Sequence, residues 1–307
     1  VRHWIESIDD WNGFGLLSLM GPTGSGKTTA ALGWVNRHHA NRRSHPLLVS
    51  IDAVALYRGL DIGSAKPLGV EREGYDWAGL DLFAPSQRVS VAEFTEYVKP
   101  IIQKALRTQR PVLLVGGSHF YEKALVDGMS PGDPTDEFWT APLRDLPGVE
   151  LKARLVALDP RWRDRVHEND RYRLLRFLDL ADRQGLSYDA LFHDTKRDAL
   201  VDSASCLALG LEFTPDELRL RLAQRLGQMF QAGWGSEVQG LLRAGLVPDA
   251  PGLLTVGYRE IVAALTAKKW NAVDAPPAEL VEEILTAHLQ LAKKQKSWVR
   301  ALRARSQ

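Results

Sequence analysis

Apolar residues fall along this chain in two rhythms. Three short runs without alternation, LLSLM at 16–20, PLLVSID at 46–52 and RPVLLVGG at 110–117, each end where glycine or a carboxylate begins. Runs of that length, separated by helix-sized stretches, predict buried parallel strands joined by crossover helices. Over 151–193, 214–246 and 258–266 the apolar positions instead recur at the helical period, and a last helix is predicted from about Leu280 to Arg305. Residues 128–150, GMSPGDPTDEFWTAPLRDLPGVE, carry four prolines and mark a boundary or hinge. The expected fold class is α/β. A parallel-sheet core over 1–127 and 198–307, ending in helices, would hold a helical insertion over 128–197.

The first apolar run leads into GPTGSGKT, from Gly21 to Thr28, and then into a helix-like segment. This strand–turn–helix context makes the core P-loop NTPase-like. Gly21, Pro22, Thr23, Gly24, Ser25 and Gly26 form the turn, whose amides can ring a diphosphate at a helix N-terminus. Lys27 adds a point charge, the Thr28 hydroxyl can ligate Mg²⁺, and Thr29 follows in the first helical turn. In parallel sheets ligands sit beyond the carboxyl ends of the strands, so Asp52, Ser118 and the glycine turn are expected to converge on one crevice.

ATP or GTP would be the first guess for the owner of the phosphates. The guanine-reading N-K-x-D is absent, and the strand PVLLVGG ends in glycines where a nucleotide hydrolase needs a carboxylate for its magnesium. Asp52 could be that ligand, which leaves a P-loop kinase of a small metabolite open. It could equally accept a proton during attack on a phosphorylated substrate. Gly116 and Gly117 allow close backbone approach, and Ser118 offers a hydroxyl. Arg173 and Arg176, and Arg221 and Arg225, stand one helical turn apart, a spacing that grips diphosphate or RNA backbone and that solvated helix faces also show.

Composition narrows the class. The 307 residues are 45% hydrophobic and 25% charged, with a formal net charge of +1, so the total charge points to no polyanion. The distribution does: no acidic residue follows Glu283, while Lys293, Lys294, Lys296, Arg300, Arg303 and Arg305 crowd the end around Trp298. Such segregation suits a phosphate backbone, with Trp298 placed to pack or stack. The one cysteine, Cys206, rules out an internal disulfide and a Cys-rich zinc site. No apolar run approaches a membrane span. The opening VRHWIESIDDW is unlike a secretory signal, and a cytoplasmic protein is expected.

In order, GPTGSGKT, DAVALYRGLDIGSAKP, RPVLLVGGSHFYEKAL, NDRYRLLRFLDL, RLRLAQRLGQMFQAGWGSEVQGLL, VGYREI and AKKQKSWVR resemble the motifs of the tRNA dimethylallyltransferase (tRNA isopentenyltransferase) family, from about Gly15 to Arg305. The resemblance implies that the phosphates belong to dimethylallyl diphosphate and that the prenyl group goes to the exocyclic amine of the adenine just 3′ of the tRNA anticodon. It implies Asp52 as general base, Ser118 in place of a threonine on the same amine, and Lys27 and Arg221 on the departing diphosphate with Mg²⁺ on Thr28. It places Tyr57, Arg58, Lys66, Arg173, Arg176, Lys293, Lys294, Gln295 and Trp298 toward the anticodon stem-loop, the base being flipped into a channel, and it implies a monomer. Departures concern the acceptor side: Asp52-Ala53-Val54-Ala55 replaces Asp-Ser-x-Gln, Trp77 and Ala78 replace two histidines, and His288-Leu289 replaces Thr-Arg. Phe177 stands for alanine and Asp179 for glutamate. Prenyl transfer to a different adenine acceptor, and an RNA-binding relative without catalysis, are the remaining alternatives.

Overall fold

The computed structural model describes residues 15–38, 45–128, 135–192, 199–200, 206–210 and 213–303. Arg305 and most of the proline-rich stretch at 129–134 lie outside them, and the side chains of Arg300 and Arg303 are not described. The chain divides into two compact units, one formed by 1–126 with 200–307 and the other by 127–199.

The larger unit is built on a parallel sheet. Its elements are β1 (Leu16–Met20), α1 (Lys27–His38), β2 (Leu47–Ile51), α2 (Val70–Glu73), β3 (Trp77–Ala78), α3 (Val91–Arg107), β4 (Val112–Gly116) and α4 (His119–Val126). In the other unit lie α5 (Glu137–Thr140), α6 (Gly148–Leu158), α7 (Arg171–Leu178) and α8 (Tyr188–Phe192). The chain then returns with β5 (Cys206–Gly210), α9 (Pro215–Gln231), α10 (Trp234–Arg243), α11 (Tyr258–Thr266) and α12 (Ala278–Arg303). The five strands run in the order β3-β2-β4-β1-β5, all neighbours parallel. Every residue of β1, β2 and β4 is buried, which is why those runs lack alternation.

Local chemistry sets the helix starts. Ser90 with Glu93 opens α3, and Thr214 with Glu217 opens α9, each as a reciprocal capping box that satisfies orphan amides. The helical period read through 214–246 is broken once. Gly233, at φ 95, ends α9 and starts α10, a left-handed turn that a residue with a Cβ disfavours. The final helix begins at Ala278, close to the expected start. No helix among the described residues is long and apolar enough to cross a membrane.

The smaller unit has its own core of Leu143, Leu151, Leu155, Trp162, Val166, Leu174, Leu178, Leu180 and Leu191. Phe177 packs on Trp162 at 4.6 Å between ring centroids, so the aromatic that replaces the family's alanine fills this core's edge. A π-helical turn over Asp179–Arg183 follows α7 and swings Asp179 fully inward.

Candidate active site

At the carboxyl ends of β1 and β2 lies a cavity of about 540 Å³. The glycine turn supplies one wall. Gly24 and Gly26 adopt φ of 76° and 77°, which lets the chain reverse between β1 and α1. Thr23, Gly24, Gly26, Lys27, Thr28 and Thr29 line the cavity. Gly21, Pro22 and Ser25 are not among the lining residues. From α9, Leu222 packs so close on Gly24 that a Cβ there would fall 2.7 Å from it.

Asp52 stands one residue beyond β2 and lines the same cavity. Its Oδ1 accepts from the backbone N–H of Val54 at 2.8 Å and of Ala55 at 3.2 Å, an Asx turn that fixes the carboxylate. Lys27 donates to the Pro22 carbonyl at 2.8 Å. Burial of its ammonium pulls its pKa down to about 8, opposed by the attraction of Asp52. Ser118 is not among the lining residues; its N–H donates to the Ile51 carbonyl at 3.2 Å, which seats it against the residue preceding Asp52.

A second cation emerges that the motif reading placed one turn away. Arg221 is exposed, with its guanidinium 4.7 Å from the Phe213 ring centroid, and is not a lining residue. Arg225 lines the cavity instead; its Nε is buried with no hydrogen-bond partner among the described residues. Burial lowers its pKa, and Asp52 pulls the other way. The signal was present in the sequence: Leu218, Leu222 and Leu226 mark the buried stripe of α9, and Arg225 adjoins it. Which of the two arginines turned inward depended on how α9 packs.

The residues expected toward RNA take diverse positions. Gln295 is buried and straps the site together, its Oε1 accepting from Thr23 N–H at 2.8 Å and its Nε2 donating to the Gly117 carbonyl at 3.2 Å. A Cβ on Gly117 would fall 2.4 Å from that amide, so only glycine admits the strap. Lys66 also lines the cavity, but its fully buried ammonium donates to the Tyr57 carbonyl at 2.9 Å and pairs with Asp61 and Asp81. Tyr57 is buried and donates its hydroxyl to the Gln87 carbonyl; Arg58 is exposed and donates to the Leu82 carbonyl at 2.7 Å. In the smaller unit Arg173 is exposed beside Asp170, whereas Arg176 pairs with buried Asp179. Lys293 and Lys294 are exposed, and Trp298 stacks on His119 at 5.9 Å. Of the positions that depart from the family pattern, Ala55, Trp77 and His288 line the cavity.

The donor set suits a hard cation brought by its ligand. No cluster of three or more His, Cys, Asp or Glu able to hold a metal exists among the described residues. Thr28, in the first turn of α1, lines the cavity, and an Mg²⁺ that keeps substrate oxygens and waters needs few protein ligands.

A sequence model described as IPP transferase matches residues 55–302. The tRNA dimethylallyltransferase of Leptothrix cholodnii is 35% identical over 295 residues, spanning 93% of this chain and 87% of that protein. That of Gloeobacter violaceus is 34% identical, over 93% and 89%. Among solved structures, the full-length tRNA isopentenylpyrophosphate transferase of Bacillus halodurans aligns over 93% of this chain and 86% of its own, with a TM-score of 0.62 at 26% identity. A eukaryotic dimethylallyltransferase aligns over 92% and 69% with a TM-score of 0.74; at 22% identity it speaks for the fold. Matched by the family model over most of its length, and by curated relatives of one kind over 93% of it, the chain belongs to the IPP transferase family of transferases.

Proposed function

We propose that this transferase moves the dimethylallyl group from dimethylallyl diphosphate to the exocyclic amine of the adenine just 3′ of a tRNA anticodon. The nitrogen–carbon bond forms as the carbon–oxygen bond to diphosphate breaks, and the amine's proton goes to Asp52. Orientation comes first: the Asx turn holds the carboxylate toward the cavity, so the base is in place before the adenine arrives. Charge growing on the leaving oxygens is met by the turn's amides, by Lys27 and by Arg225, all of which the fold brings to the same cavity. Magnesium carried on the diphosphate would be held by the Thr28 hydroxyl and would offset part of that charge. Ser118, seated next to Asp52, completes the base side through the backbone of Ile51.

The observation that supports this reading is that Lys27 and Asp52 line one cavity and attract one another, as a diphosphate site beside a proton acceptor would require. The smaller helical unit and the basic end of α12 take the anticodon stem-loop, with the adenine unstacked to reach the cavity. The reading carries with it a monomer working on tRNA in the cytoplasm. Radiolabelled dimethylallyl diphosphate incubated with the protein and tRNA tests it. Label is expected in tRNA, and Asp52→Asn is expected to slow single-turnover transfer by about 10²- to 10⁴-fold with tRNA binding unchanged. Label in free AMP and none in tRNA would move the acceptor assignment to a nucleotide.

A further inference from the structure

One face of α12 looks into the cavity. His288, Leu291 and Gln295 all line it, and His288 and Gln295 stand two helical turns apart. Because Gln295 is fixed to the glycine turn through Thr23, the helix cannot slide, and His288 is held at a set height along the same wall. His288 is 5% exposed. Its Nδ1 lies 2.9 Å from the Ile284 carbonyl. A carbonyl only accepts, so Nδ1 carries the proton and the neutral ring has a bare lone pair on Nε2. No hydrogen bond to Nε2 is found among the described residues.

The charges facing this ring come from several elements. From α9 comes Arg225, with its unpartnered Nε. From α11 comes Glu260, whose carboxylate already accepts from Gly257 N–H at 2.6 Å and from Arg259 Nε at 2.6 Å. Lys27 and Asp52 face the same cavity from α1 and from the end of β2. β5, which also packs on α12, is CLALG and brings no charged side chain. Burial, with Arg225 beside it, holds the imidazole below its ordinary pKa, so the ring is neutral near pH 7 in the free protein.

We propose that His288 is a ligand-switched cation: its Nε2 takes a proton from solvent when a diphosphate enters the cavity, donates a hydrogen bond toward it, and returns the proton when the diphosphate leaves. Lys27, Lys66 and Arg225 against Asp52 and Glu71 leave an excess of a single positive charge among the lining residues, well short of what a diphosphate carries at neutral pH. That deficit reverses the field at the ring, since the anion outweighs the Arg225 charge that kept the ring neutral. A threonine hydroxyl at this position could give a hydrogen bond but could not change its charge. The inference rests on the reading of the cavity as a diphosphate site.

Calorimetric titration of the whole chain with inorganic pyrophosphate, free of divalent metal, tests it across the range from about pH 6 to about pH 8.5, where histidine titrates. His288→Thr and His288→Gln are titrated beside it, with matched thermal melts as the check on folding. Dividing each variant's Kd by the parent's cancels the titration of pyrophosphate and of Lys27. The ratio is expected near one at the alkaline end and to rise several-fold toward the acid end, with about tenfold the limit approached only below the free imidazole's pKa when binding raises that pKa by about one. In buffers of different ionisation enthalpy the parent is expected to take up more protons per pyrophosphate than either variant. The Cε1 proton resonance of His288, assigned by its loss in the variants, is expected to titrate at higher pH with pyrophosphate than without. A ratio that stays flat with pH overturns the proposal even if both variants bind weakly, because a structural or neutral hydrogen-bonding role gives that result. Failure of the parent to bind pyrophosphate at any pH, with Lys27→Ala no different, overturns the diphosphate reading as well.

Discussion

Asp179 is a fully buried charge and Arg225 a half-buried one whose Nε is buried, and the molecule treats them in opposite ways. In the smaller unit the Asp179 carboxylate, with no exposure, accepts from Arg176, from Arg183 at 2.6 Å, from Gln184 at 2.8 Å and from the backbone N–H of Asp136. In the larger unit Arg225 reaches the cavity with a buried Nε that no described residue meets, and Lys27 beside it donates to the carbonyl of Pro22. Leaving a buried donor unmade costs about 1–3 kcal/mol, more for a charged group. The contrast is what the proposed diphosphate site requires: a guanidinium and an ammonium on one cavity, with a guanidinium Nε free to meet an anion's oxygens.

The largest expected effect tests the satisfied side. Asp179→Leu takes from Arg176 and Arg183 the buried carboxylate they share and is expected to cost about 3–5 kcal/mol in urea unfolding of the whole protein. A cost below about 1 kcal/mol would remove the contrast, since the network would then be no more than a surface pair.

Arg225→Met should run the other way. Exchanging a half-buried cation whose Nε lacks a partner for an apolar chain of similar length is expected to leave unfolding unchanged or to stabilise by about 1–3 kcal/mol, while pyrophosphate affinity falls by about 10- to 100-fold. Opposite signs for stability and binding mark a charge held for a ligand; loss of both would mark a structural one.

A smaller effect follows from Lys27. Diphosphate binds its protonated form, and the free ammonium titrates at about 8. Affinity is therefore full below that pH and falls as pH rises through it, by up to about tenfold per pH unit until the pKa of the complex is reached. Lys27→Arg, which does not titrate in this range, is expected to flatten the alkaline limb. The smallest change is expected at Arg173, exposed and 3.3 Å from Asp170. Arg173→Gln should move stability by no more than about 0.5 kcal/mol, and through lost phosphate contact should lower the salt slope of tRNA binding by about one.

Much of the fold was legible along the chain. The unalternating runs became β1, β2 and β4 because strands buried on both faces need no polar register. The turn GPTGSGKT announced its own geometry through glycines at 24 and 26, and Asp52 stood where a strand had to end. What escaped was short or remote. β3 is two residues long, and CLALG has no β-branched residue to mark it; both are strands because a neighbour pairs with them.

The site divides along the same line. The sequence by itself determined the pieces whose chemistry is local: the glycine turn, the carboxylate after β2, the paired glycines at 116 and 117, and the basic end of α12. Only the tertiary structure decided which of them meet. It chose Arg225 over Arg221, made Gln295 a strap across 272 positions of sequence, engaged Lys66 with Asp61 and Asp81, and set His288 on the cavity wall. A turn is fixed by the dihedral preferences of its own few residues, whereas the face a helix turns toward a cavity depends on packing against elements far away in the chain.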